Sequence, residues 1–174
     1  MLFRSADLEF EYRHHKTLAD KAIAPIDDDI FFQRPTQSNN SVANIVKHLA
    51  GNLRSRFTDF LTTDGDKPDR DRDNEFVITD QDTRAKLLAG WEHGWKCVFN
   101  TFHSLKPEEL LKTIPIRGET HTVQQALLRG ATHTAYHVGQ ILYVVRLLCP
   151  QSAWLTVAPG QSHGMVGTYR KNSS

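Results

Sequence analysis

Cysteine, an excess of either charge and long apolar runs are all scarce in this sequence. Its two cysteines, Cys97 and Cys149, are far apart, form no CxxC pair and sit in apolar helical contexts. Two reduced thiols in a cytoplasmic protein are the plainer reading, with a bridge between them the open alternative. Lys and Arg number 21 against 20 Asp and Glu, a formal net charge of +1. That balance gives no general basis for nucleic-acid or anionic-membrane binding, though a local patch stays open. No apolar stretch approaches the roughly 18 residues of a spanning helix, and "MLFRSADLEFEYRHH" becomes charged too early for a secretory signal. The sequence therefore predicts a cytoplasmic protein with no membrane segment.

What is present is helical periodicity. The 174 residues fit one domain over 1–174, with a short irregular tail from about residue 150. The first helix covers about Phe3 to Ala22, with Ala6, Phe10, His14 and Leu18 as its stripe. The second begins in "NSVANIVKHLAGNLRSRFTDFL", capped by Ser41, with Val42, Ile45, Leu49, Leu53, Phe57 and Phe60 on its apolar side. "TTDGDKPDRDRDNEF" follows, too polar and turn-rich to join a core; a pocket rim is its functional reading.

Thr79, with Asp82, is the expected capping box of the third helix, whose apolar side carries Leu88, Trp91, Trp95, Val98 and Phe102. The fourth runs from about Thr122 to Leu148, with glycines at 130 and 139 that admit a neighbouring helix or a ligand. Without a convincing alternating strand, the expected fold is all-α, a four-helix bundle.

Candidate chemistry lies in "ATHTAYHVGQI". His133 and His137 are four residues apart, so both rings share one helical face and can converge on one ion. His48, on an inward-leaning face of the second helix, offers a third nitrogen. Three histidines on a bundle interior leave coordination positions open for water or substrate. The helical glutamate of HExxH is missing, because Thr134 follows His133, which disfavours the zincin mechanism.

Asn52 and Gln140, one turn from His48 and His137, are candidate supports for a ligand ring or a bound water, with ordinary hydrogen bonding as the alternative. His14 and Tyr143 are weaker pocket candidates; Tyr136 neighbours the histidine pair without sharing its face. Arg54, Arg56, Lys67, Arg70 and Arg72 suit a carboxylate substrate, but the interspersed aspartates make a solvated loop the plainer reading. The tryptophans of the third helix suit a homodimer face.

"NSVANIVKHLAGNLRSRF", "THTVQQALLRGATHTAYHVGQILYVVRLL" and "WLTVAPGQS" resemble the DinB-like, or YfiT-like, metal-dependent superfamily, and more narrowly its DUF1572-type branch. The resemblance implies a four-helix bundle of that type, binding a divalent metal through His48, His133 and His137. Zinc and nickel are the first expectations, with iron and manganese also open. Some isomerase relatives carry glutamate at the middle position; His133 brings this chain nearer the bacillithiol-transferase type. The resemblance further implies a homodimer and transfer of a low-molecular-weight thiol to a small electrophilic substrate. The alternative is a metal-bearing stress-response or interaction module without turnover.

Overall fold

The computed structural model describes residues 5–164 and is mostly helical. Helices α1 (Ser5–Ile23), α3 (Val42–Phe57), α4 (Arg84–Ser104) and α5 (Val123–Leu148) are long, and α2 (Asp28–Phe32) is a single short turn. Strands β1 (Thr113–Ile116) and β2 (Glu119–Thr122) form an antiparallel hairpin before α5. Helix α3 packs on α4 and α5, and α1 packs on α5 and α4. Among the described residues no helix is long and apolar enough to cross a membrane.

The two helices that carry the histidines start where their sequences say they should. Ser41 accepts from the Asn44 N–H while the Asn44 side chain accepts from the Ser41 N–H, a reciprocal cap. Thr122 and Gln125 repeat that arrangement at the start of α5. Val123, Leu127, Thr134, Val138, Ile141 and Val145 are all buried, as the stripe of α5 requires. Helix α3 stops at Phe57, short of the expected Phe60, and Asp59 just beyond it adopts a positive φ of 48°.

Further expectations need correction. The stripe of α1 is not its core face: Leu8, Tyr12, Ala19, Ala22 and Ile23 are buried, whereas Ala6 is exposed and Phe10, His14 and Leu18 are half-buried. Tyr12 decides the rotation. Its ring meets Phe57, Trp95 and Phe102, and its hydroxyl donates to the Leu127 carbonyl at 3.0 Å. Phe3 lies outside the described residues.

Helix α4 is capped by Thr83, not Thr79. Asp82 does accept from the Thr79 N–H, but inside a separate turn, where it also pairs with Lys47 at 2.8 Å. The tryptophans supply no dimer face, since Trp91 and Trp95 are each 1 % exposed within the chain's own core. Their helix meets α3 closely at Gly94, where a Cβ would stand 2.9 Å from the Ala50 carbonyl oxygen.

The hairpin was not anticipated. Ile114 and Ile116 point inward, and the turn places Arg117 and Gly118 at φ 56° and 74°, both left-handed, as a tight two-residue hairpin turn requires. Among the described residues, the chain after α5 is irregular apart from a 3-10 turn at Ser162–Gly164. Leu155 packs against the core, and Trp154 lies under the Arg146 guanidinium at 4.4 Å. The tail beyond Tyr169 lies outside the described residues.

Candidate metal centre

Helix α3 presents His48, 1 % exposed, toward the half-buried His133 and His137 of α5. One ring nitrogen from each lies within 4.8 Å of the other two, close enough to hold a metal ion. His48 Nε2 and His133 Nε2 are 3.4 Å apart. Two nitrogens bound to one tetrahedral ion at ~2.0–2.1 Å stand about 3.4 Å apart, so that pair already has the required separation. The wider pairs need only small side-chain movement.

Two rings are oriented by partners on their far side. His48 Nδ1 is 2.8 Å from Glu75 Oε2, so the Nδ1 proton faces the carboxylate and Nε2 offers its lone pair. His137 Nδ1 donates to Gln140 Oε1 at 2.8 Å, with the same consequence for its Nε2. Phe76 stacks on His48 with ring centroids 4.4 Å apart and closes the other face. The third ring is less well served: His133 Nδ1 is buried without a hydrogen-bond partner. Burial, then the charges of His137 and His48 and of Arg56 and Arg70, push the His133 pKa down to about 3. A neutral imidazole is the form that ligates, so the donor set suits a divalent ion such as zinc or nickel.

Glu75 is the residue that sequence reasoning missed. It comes from the polar connection between α3 and α4, yet it is only 8 % exposed. Burial alone would raise its pKa, but hydrogen bonds from Arg70 and His48 outweigh burial and hold the carboxyl below its ordinary value. Arg70 donates to Oε1 from Nε at 2.8 Å and to Oε2 from Nη2 at 2.9 Å, and its side chain is 3 % exposed. With its amide oxygen facing the guanidinium, Asn52 accepts from Arg70 at 3.2 and 3.3 Å. Asn52 therefore supports His48 at two removes, through Arg70 and Glu75. The connection stays largely exposed and outside the hydrophobic core, as its polarity suggests, but it sends Glu75 inward and lends Arg70 and Arg72 to the cavity described below, the pocket rim expected of it.

Space for that carboxylate is made by Gly51. A Cβ there would stand 2.8 Å from Glu75 Cδ and closer still to Oε1. On α5, Gly130 leaves room for the Tyr12 hydroxyl, whereas Gly139 faces open space.

His48 and His133 line a cavity of about 430 Å³. Arg56, Arg70, Arg72, Arg117 and Arg129 line it too, with Tyr136 exposed at its mouth. Tyr143, 69 % exposed, lies away from this cavity and from the core stripe, so the structure reverses the expected placing of the two tyrosines. His14 stacks on Phe10 and is not among the converging histidines. Thr134, at the position of the zincin glutamate, is fully buried. Arg54 is half-exposed and does not line the cavity.

These three histidines lie within the span over which one family matches, residues 5–161. The chain belongs to the DUF1572 family. The family is described as a protein of unknown function, and no curated protein matches this DUF1572 chain.

Proposed function

We infer that this DUF1572 protein is a metal-dependent enzyme of DinB-like kind, a four-helix bundle that transfers a low-molecular-weight thiol to a small electrophile. The observation that carries the reading is a three-nitrogen set with two oriented rings and a solvent-connected cavity on one side. His48, His133 and His137 would hold the ion, zinc or nickel first and iron or manganese next. A bound divalent ion supplies Lewis acidity, which lowers the pKa of a thiol and raises the thiolate fraction at neutral pH.

The remaining work belongs to the chain. Glu75 and Gln140 fix the ring orientations, and Phe76 excludes water from one face of His48. The cavity admits both substrates from the Tyr136 side. The thiol sulfur forms a bond to the electrophilic carbon, the leaving group departs with its bonding pair, and the thiol proton passes to solvent. Among the described residues no carboxylate lines the cavity to accept that proton. A cavity reaching His48 and His133 from solvent favours turnover over a closed metal-binding module.

The test is thioether formation from chlorodinitrobenzene with cysteine, glutathione or bacillithiol, using protein loaded in turn with zinc, nickel, iron and manganese. The expected result is a rate well above that of metal-free protein and lost in His133→Ala. Failure with every metal and thiol would leave the non-enzymatic module as the better account.

A further inference from the structure

The walls of the cavity carry charge that the three histidines do not explain. Arg56 comes from α3, Arg70 and Arg72 from the connection, Arg117 from the hairpin turn and Arg129 from α5. Four separate segments thus bring five guanidiniums to one concavity, and among the described residues no carboxylate lines it.

Counter-charges lie behind this wall and fall short of it. Glu75 and Asp66 hold Arg70, and Asp66 also reaches Arg117 at 2.9 Å. Arg129 Nη1 donates to the His121 ring at 2.8 Å, which carries no counter-charge, and meets Glu119 at 3.5 Å; Arg72 meets Asp73 at 4.0 Å, and both carboxylates are solvated and contribute little. Arg56 has no ion-pair partner among the described residues, and its buried Nη1 has no hydrogen-bond partner. Burial, then the neighbouring charges of Arg129, Arg70 and Arg117, depress the Arg56 pKa, with Asp66 offsetting part of the effect. Crowding of cations around a buried, unpaired donor is costly unless an anion completes the site.

We propose that this cavity binds a small molecule carrying a carboxylate or phosphate group, held by Arg56, Arg117 and Arg129 beside the three histidines. Planar guanidinium forks match both oxyanions, and about 430 Å³ suits a small ligand better than a polymer. The molecule's role as a substrate rests on the reading of the histidines given above. Its binding through the arginines does not require an ion.

The experiment is calorimetric titration of the metal-free 174-residue chain at low salt, once with succinate and once with inorganic phosphate. Wild-type protein is expected to bind at least one probe saturably, one per chain. Arg56→Gln and Arg129→Gln should each weaken binding by about tenfold or more, as should added salt, while Arg13→Gln on α1 should leave it unchanged. Binding of one probe and not the other identifies the group, carboxylate or phosphate. Arg56→Gln removes an unpaired charge, so the unliganded variant should melt no lower than wild type; should it fail to fold, the half-exposed Arg129→Gln decides. No saturable binding of either probe, or binding that the arginine variants leave unchanged, would overturn the proposal. Because the titration is metal-free, it succeeds or fails independently of the metal reading; His133→Ala should retain anion binding even where that reading is wrong.

Discussion

Glu75 ties three levels of the site together: it accepts from His48, is clamped by Arg70, and occupies space that Gly51 leaves empty. Glu75→Gln keeps a similar shape but removes the charge that favours the His48 tautomer. Metal affinity should fall about 10–100-fold, read by competition with a chelator; unchanged affinity would mean that the carboxylate serves only Arg70. Gly51→Ala perturbs the same contact from the other side. Its Cβ would displace the carboxylate from both partners, so metal affinity should fall by a similar factor although no ligand is altered. At this scale the histidines were legible because a spacing of four on a helix has one geometric meaning. Glu75 was not, because it stands 27 residues from His48 in a run of acids that look equally solvated. A lone aromatic in that polar run, Phe76, which stacks on His48, is the one mark that the chain comes back against the site there.

Among the elements, α5 and the start of α3 follow from their sequences because cap and periodicity agree. Where those signals conflicted, the structure departed from expectation. The face of α1 was misread because Ala19 and Ala22 give weak apolar signals and Tyr12 counts as half polar, yet together they form its contact surface. The hairpin was hidden by Pro115 within a strand and by an Arg-Gly turn in place of the commoner Asn-Gly. Gly94 shows the same competition between local preference and packing. Alanine favours helix over glycine by roughly 1 kcal/mol, but at this crossing its Cβ meets backbone. Gly94→Ala should therefore destabilise the protein by about 1–3 kcal/mol in denaturant unfolding, and a gain in stability would show that the α3–α4 crossing is looser than described.

Across the whole molecule, the site should contribute to how stability responds to pH, alongside His15 of α1, whose pKa burial also lowers. Folded His133 has a pKa of about 3, below the 6.5 of an unperturbed histidine, and burial lowers His137 in the same direction. Between those two values the unfolded chain takes up a proton that folded His133 refuses, so lowering pH favours unfolding. Metal-free protein should lose stability as pH falls from 6.5 toward 3, by at most ~1.4 kcal/mol per pH unit for each such group. Denaturant midpoints across that range test this, and a flat profile above the carboxylate range would contradict it. Bound metal should add stability by mass action, about 2.7 kcal/mol when free metal is a hundred times its Kd, and that increment should shrink as protons compete for the ligands.

The central claim is that His48, His133 and His137 form one metal site. Elemental analysis of the purified, metal-loaded protein beside His48→Ala, His133→Ala and His137→Ala tests it most directly. The account predicts close to one ion per wild-type chain and a marked loss in each of the three variants. Wild-type protein that takes up no metal, or variants that keep all of it, would contradict the account and return these histidines to structural roles.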